Sequence, residues 1–273
     1  MAIITISREL AALGDETAHE LEKLLNYSFV DKQKIEDLIK SYGFTGQKFE
    51  RYDEKKPGFW ASLSRSRDDY LHYLKTAMLA EASRGNCIII GRGAGAIFKN
   101  VPGVISVFLA APYEIRAERV KSYFHCDDKR AKQIIEQSDR DREGFHRYFF
   151  DIKWTNACNY HLTINTGNFH PSVGAKIIKS LMDAYLTKET EEQGLRRINE
   201  LTLAQQVIQH ILFDKSIPIH FMEADVSGDK VTLFGVASSQ SMVEAAVTAA
   251  REIPGIESVI SEMQVVQEYS IMP

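Results

Sequence analysis

Cysteine is scarce in this chain. Cys87, Cys126 and Cys158 are the only three among 273 residues, they lie far apart, and none belongs to a CxxC spacing. An odd, scattered set excludes a disulfide framework and argues for reduced thiols, hence a cytoplasmic protein. Long apolar runs are missing as well, since no stretch of about 18 such residues offers a membrane span. The first apolar stretch stops at Arg8 after a few residues, which excludes a secretory signal. Nor do the eight histidines show a ligand spacing such as HxxxH, so no resident metal site is expected.

What is present is an ordinary globular composition with uneven charge. Hydrophobic residues make up 44% of the chain, enough for one large domain or for a large and a small one. Residues 187–273 hold 6 Lys+Arg against 13 Asp+Glu, a net of −7, whereas residues 1–186 are net +3. An acidic tail is a poor surface for nucleic acid or anionic lipid, both of which need clustered cations.

The first 186 residues alternate strand-like and helix-like stretches, as a parallel sheet flanked by helices requires. ITIS leads into a helix over 16–25, where Ala18, Leu21, Leu24 and Leu25 recur at helical spacing. A largely polar helical insert is expected over 31–84. NCIIIG and GVISVFLA read as strands buried on both faces, 113–149 as helix rich in Arg and Glu, HLTINT as a further strand and 171–186 as a closing helix. The charged stretch 187–200 has no strand pattern and reads as a connecting helix or, over 187–197, as a linker between a domain at 1–186 and a second at 198–273. That second pattern is a helix, two strands around Ser227-Gly228-Asp229, a helix with Ser241 and Glu244 at capping-box spacing, and a last strand.

RELAALGDET, between ITIS and the helix after it, stands where a phosphate-binding loop belongs. Such a loop reads GxxxxGK[ST], because glycines let backbone N–H groups close around phosphates and the lysine neutralises them. In that register the first glycine is Glu9, the second survives as Gly14, and the lysine is replaced by Asp15. Reversing a charge at about 4 Å costs roughly 2 kcal/mol in water and roughly 8 kcal/mol at an effective dielectric of about 20. Three outcomes stay open. Asp15 points to solvent and serves the helix N-terminus; Arg8 or another arginine supplies the missing charge; or Asp15 itself occupies the phosphate position. Thr17 stands where a loop threonine would touch Mg2+, and equally where a local cap would.

GRGAGAIF at 91–98 follows a buried strand, at the sheet end where ligands bind, and the fork of Arg92 suits either a phosphate or a salt bridge. The cations from Arg116 to Arg147 would serve to close over phosphates, since phosphoryl transfer asks chiefly for positioned positive charge. Their bland alternative is pairing with Glu118, Glu136 and Glu143 on solvated helix faces. Phe145, Tyr148, Phe149, Trp154 and Tyr160 have spacings more typical of core than of a base-stacking platform.

In this order and spacing, ITISREL, LLNYSFVDKQ, DEKKPGFW, LAEASRGNCIIIGRGAGAIF, VFLAAPYEIRAERV, SDRDR and NYHLTINT resemble the cytidylate kinase-like family over residues 1–185. The resemblance implies a three-layer P-loop kinase-type fold, ATP with Mg2+ as donor, and a nucleoside monophosphate acceptor with CMP or dCMP first. It implies that Arg8, Gly14, Asp15, Thr17, Arg92, Gly93 and Asp139 contact nucleotide, and that Arg142 with Arg140 stabilises the transferred group. Two departures stand out. Gly93 occupies the place of the aspartate in the GRDxGT segment of true cytidylate kinases, and SRELAALGDETA keeps Gly14 but has Ala11, Ala12 and Leu13 at small flexible positions and Asp15 at the arginine of the family's SREYGSGGREIA. Residues 198–267 resemble a BON domain, with Gly235 and Gly255 on its recurrent glycines, which implies a small αββαβ binding module. The expected protein either transfers phosphoryl groups or senses a nucleotide without turnover and signals to a protein partner through that module. Homo-oligomerisation is left open.

Overall fold

A computed structural model describes residues 2–43 and 64–266. The DEKKPGFW segment, the middle of the expected insert and residues 267–273 lie outside the described residues. The chain divides into two compact units, one of residues 1–63 and 81–195, the other of residues 64–80 and 196–273. Its helices are α1 (Gly14–Leu25), α2 (Lys32–Ser41), α3 (Ser64–Ser83), α4 (Ala94–Ile97) and α5 (Tyr113–Phe124). They continue with α6 (Asp128–Phe150), α7 (Pro171–Tyr185), α8 (Lys188–Gln209) and α9 (Gln240–Arg251).

In the first unit five parallel strands are ordered β2-β3-β1-β4-β5, with β1 at Ile3–Arg8, β2 at Ser28–Val30, β3 at Cys87–Ile90, β4 at Val104–Ala110 and β5 at Leu162–Asn165. The three middle strands are the continuous apolar runs, as strands covered on both faces must be. Ile4, Ile6, Ile88, Ile90, Ile105 and Val107 face Ala18 and Leu21 of α1 and Ala175 and Ile178 of α7. The three-residue β2 escaped the sequence reading because SFV is too short to show a period, and its ladder to Cys87–Ile89 defines it. Connections leave β1 toward one edge and β4 toward the other, so the crevice at their C-terminal ends is the sheet's switch point, where open α/β sheets bind ligands.

The charged stretch after α7 is helical. Gly194 of α8 lies so close to the main chain of Pro102 that a Cβ there would collide with the Pro102 carbonyl. Helix propensity alone favours Gly194→Ala by about 1 kcal/mol, but forcing a methyl against backbone costs about 1–3 kcal/mol. We expect the contact to win and the variant to melt a few degrees lower; a higher melting temperature would show that α8 can shift freely.

The second unit has β6 (His220–Ser227) antiparallel to β7 (Lys230–Ala237), and β8 (Ser258–Ser261) and β9 (Gln264–Val265) parallel to β7. Its core joins Val207 and Ile211 to Val226, Val231, Leu233, Ala246 and Ala250. Ser239 caps α9 by accepting the Met242 N–H; Ser241, expected as the cap, already lies inside the helix. The extended backbone of Ser239 is what aims its hydroxyl at the first turn.

Most of α3 clusters with this unit although it precedes it by more than a hundred residues. The joint is His72, buried between Gln205 (3.0 Å) and Gln209 (2.9 Å) and stacked on Phe213. Burial lowers its pKa, so the ring is neutral. Gln209 turns its amide nitrogen toward Asp214 and its Oε1 toward His72 Nε2, while the Gln205 Oε1 faces Nδ1, so the neutral ring donates to one of two amide oxygens.

His210 sits between Glu252 (2.9 Å) and Asp214 (3.2 Å), and the hydrogen bond to Glu252, with Asp214 adding to it, raises its pKa. A raised folded value means that this stabilisation is complete below the unfolded value of about 6.5 and is lost as pH rises through the folded value. Thermal unfolding of the second unit should therefore occur at lower temperature at about pH 9 than at about pH 6, and His210→Gln should flatten that dependence. Identical slopes for the two proteins would contradict it.

Candidate functional site

The loop after β1 turns tightly although Gly14 alone remains of its expected glycines. Ala11 (φ 60°) and Leu13 (φ 55°) are both left-handed, at a cost of roughly 1–2 kcal/mol each. Four side chains hold the loop from outside by donating to successive carbonyls. Arg116 Nε reaches Leu10 at 2.8 Å, Arg119 Nη1 reaches Ala11 at 2.9 Å, Thr166 Oγ1 reaches Ala12 at 2.9 Å and Thr17 Oγ1 reaches Leu13 at 2.6 Å. With its carbonyls engaged outward, the loop needs no glycine to stay turned. Among the described residues no side-chain cap bond is made at the start of α1, and a helix N-terminus of this kind suits an anion.

Arg8 crosses this loop. A Cβ on Gly14 would collide with the Arg8 Cγ, and one on Gly91 would stand 2.6 Å from the Arg8 Nη1, so the arginine lies from the helix start to the GRG turn. Asp15, with its side chain 63% exposed, is 3.7 Å from Arg8 Nη2. This geometry combines two of the open outcomes: Arg8 supplies a cation at the loop, and Asp15 points outward while partly neutralising it.

Gly91, Arg92 and Gly93 form three left-handed residues in a row. Arg92 is buried and its Nη2 pairs with Glu36 of α2. Gly93 is pressed against the Phe150 ring, whose Cζ lies 2.6 Å from where a Cβ would stand. The space an aspartate would need is thus occupied by an aromatic ring.

On α6, Asp139 accepts two hydrogen bonds from Arg116 Nη2, at 2.7 and 2.9 Å, while Arg116 also pairs with Glu9 at 3.2 Å. Glu9, at the place of the first loop glycine, accepts the Ala111 N–H at 3.0 Å. Asp139 therefore braces the loop through Arg116. Arg142 donates to Ser138 at 2.5 Å and Arg140 to Gln137 at 3.1 Å, both on their own helix. Thr17 is fully buried and its hydroxyl donates to the Leu13 carbonyl at 2.6 Å, the bond a local cap would make. Among the described residues, no group of three or more His, Cys, Asp or Glu is placed to hold a metal ion.

Sequence reasoning missed Glu9, Glu36, Thr166 and Phe150, since their partners are distant along the chain. Thr166 alone left a signal, as the last residue of HLTINT at a strand end. Phe145, Phe149 and Trp154 are buried, and Tyr160 stacks on Phe108 with centroids 5.1 Å apart, so this aromatic set is core. The thiols are free; burial first, then the charge of Glu81, pushes that of Cys87 up to about 12.

A parallel sheet in this order, with a turned loop and an open helix N-terminus in its switch-point crevice, defines a P-loop kinase-type fold. Residues 3–168 match the model of the cytidylate kinase-like family, and the chain belongs to that family. Residues 199–267 match the BON domain. A cytidylate kinase from Sulfolobus acidocaldarius is 35% identical over 97 residues, 35% of this chain and 52% of that protein. The chain thus spans about half the length of the curated relative it matches. The crystal structure of an uncharacterized protein from Eubacterium ventriosum shares the fold, with TM-score 0.54 at 19% identity over 67% of this chain and 99% of that one. A shikimate kinase from Acinetobacter baumannii, solved with shikimate, gives TM-score 0.41 at 16% identity, covering 68% of this chain and 96% of that one. The chain is a nucleotide kinase-like protein, and no helix among the described residues is long and apolar enough to cross a membrane.

Proposed function

We propose that the chain binds a nucleotide at the loop after β1 and transfers a phosphoryl group from ATP to a nucleoside monophosphate, CMP or dCMP first. The observation that carries this reading is the retained turn of residues 9–13, braced by Arg116, Arg119, Thr166 and Thr17 and crossed by Arg8. Bound ATP supplies the group to be transferred. The chain's part is to cradle phosphates with the loop amides and the start of α1 and to neutralise them with Arg8. Arg92 orients the acceptor's phosphate. Arg142 and Arg140 act only after leaving Ser138 and Gln137, which makes movement of α6 or of their side chains part of the reaction. The Thr17 hydroxyl donates to Leu13, and no step is assigned to a protein ligand of Mg2+. We place the protein in the reducing cytoplasm, in keeping with its three free cysteines, and assign the BON domain to a protein partner.

A second reading, nucleotide sensing without turnover, is favoured by one specific observation: Asp15 stands 3.7 Å from Arg8 and takes part of its charge. Calorimetry with ATP–Mg2+, ADP, CMP, dCMP, UMP and AMP, followed by a turnover assay on every binder, separates the two; no binding by any of them ends both. Because Asp15 is largely exposed, the aqueous end of the Coulomb scale applies. Asp15→Arg should then tighten ATP by roughly 2 kcal/mol, about 30-fold, with an effect that shrinks in salt. Unchanged ATP affinity would mean that residue 15 never faces the phosphates.

A further inference from the structure

Away from the loop, at the N-terminal ends of β4 and β5, the first unit has a half-open cleft of about 370 Å3. Its walls are the turn from Phe98 to Val104, the segment Cys158–His161, Tyr185 at the end of α7 and Thr190 of α8. That volume is at the small end for ligand sites. Among the described residues no aspartate or glutamate lines it, and Lys99 is its one Lys or Arg.

The polar groups are built into the wall. His161 Nδ1 accepts the Ser106 main-chain N–H at 3.0 Å, and the Ser106 hydroxyl lies 2.9 Å from the same nitrogen. An Nδ1 that accepts leaves the proton on Nε2, so the ring presents a neutral N–H donor on its other side. Burial lowers the His161 pKa and keeps it in that form. The rings of His161 and Tyr185 pack against each other, tilted by 46° with centroids 5.4 Å apart, and give the cleft an aromatic wall. Behind Gly95, which also lines the cleft, the buried Thr5 hydroxyl has no hydrogen-bond partner among the described residues. It lies 3.6 Å from where a Cβ on Gly95 would stand. An aromatic wall, donors and a cation, with no carboxylate among the described lining residues, suit a planar ring carrying an anionic group.

We propose that this cleft is a second ligand site for a ring-bearing anion of nucleoside-monophosphate size, held by Lys99, His161 Nε2–H and the ring of Tyr185. It is separate from the loop site and does not depend on turnover there. Cys158, exposed on the cleft wall, gives a local readout, with Cys126→Ser removing the half-buried thiol and buried Cys87 staying silent.

The test follows the rate at which Cys158 reacts with an aromatic disulfide in the presence of CMP, AMP, cytidine or inorganic phosphate. One of the two monophosphates at a few times its dissociation constant should slow labelling about fivefold, and cytidine or phosphate alone at the same concentration less than about twofold. Lys99→Glu and Tyr185→Ala should each abolish that protection, whereas Arg8→Ala, which disables the loop, should keep it. Equal protection in the Lys99→Glu protein, its loss in Arg8→Ala, or no slowing by either monophosphate at about 10 mM would overturn the assignment.

Discussion

Replacing Arg116 by alanine should destabilise the first unit by about 3 kcal/mol, or roughly 6–12 °C in the midpoint of thermal unfolding for a unit of this size. The side chain is 5% exposed and joins the Leu10 carbonyl, Glu9 and Asp139. Removing it takes the shared cation from both carboxylates and frees the loop carbonyl. Asp139 is a third exposed, which puts the figure at the low end for a broken buried pair. The control is Asp139→Asn, which keeps the arginine on Glu9 and Leu10 and should cost only about 1 kcal/mol. Equal losses from the two variants would show that Arg116 serves Asp139 alone and does not hold the loop. Nucleotide binding reads the same clamp independently, because Arg116→Ala should weaken it even at temperatures where the protein is fully folded.

Introducing the aspartate of true cytidylate kinases by Gly93→Asp should damage the protein instead of improving the acceptor site. Residue 93 has φ 74° and faces Phe150 at contact distance. A non-glycine residue in that conformation costs roughly 1–2 kcal/mol, and displacing a packed ring adds about 1–3 kcal/mol. We expect a total near 3 kcal/mol by denaturant unfolding, with no gain in CMP affinity. The double variant Gly93→Asp, Phe150→Ala relieves the collision and should recover part of the loss. A single variant that unfolds normally and binds CMP more tightly would falsify the role given to Phe150.

The sheet was legible because its middle strands are buried on both faces, and burial on both faces writes itself as unbroken apolar runs such as Ile88, Ile89 and Ile90. The short β2 and the attachment of α3 to the second unit left no such trace. The first depends on the ladder to β3 and the second on His72 meeting Gln205 and Gln209. Ser239 displaced Ser241 as the cap of α9 for a similar reason: capping is decided by backbone dihedrals, and both serines offer the same hydroxyl.

At the site the division falls between residue type and residue partner. By itself the sequence determined the family pattern, the position of the loop between β1 and α1, the loss of its glycines and the charge of Asp15. Only the tertiary structure decided that the loop keeps its turn, that Asp139 braces it, that Arg92 rests on Glu36 and that Phe150 fills the place beside Gly93. The physical reason is range. Strand and helix patterns are written by neighbours a few residues apart, whereas the bonds to Leu10, Ala11 and Ala12 come from residues 106, 108 and 154 positions along the chain, and no local period encodes them.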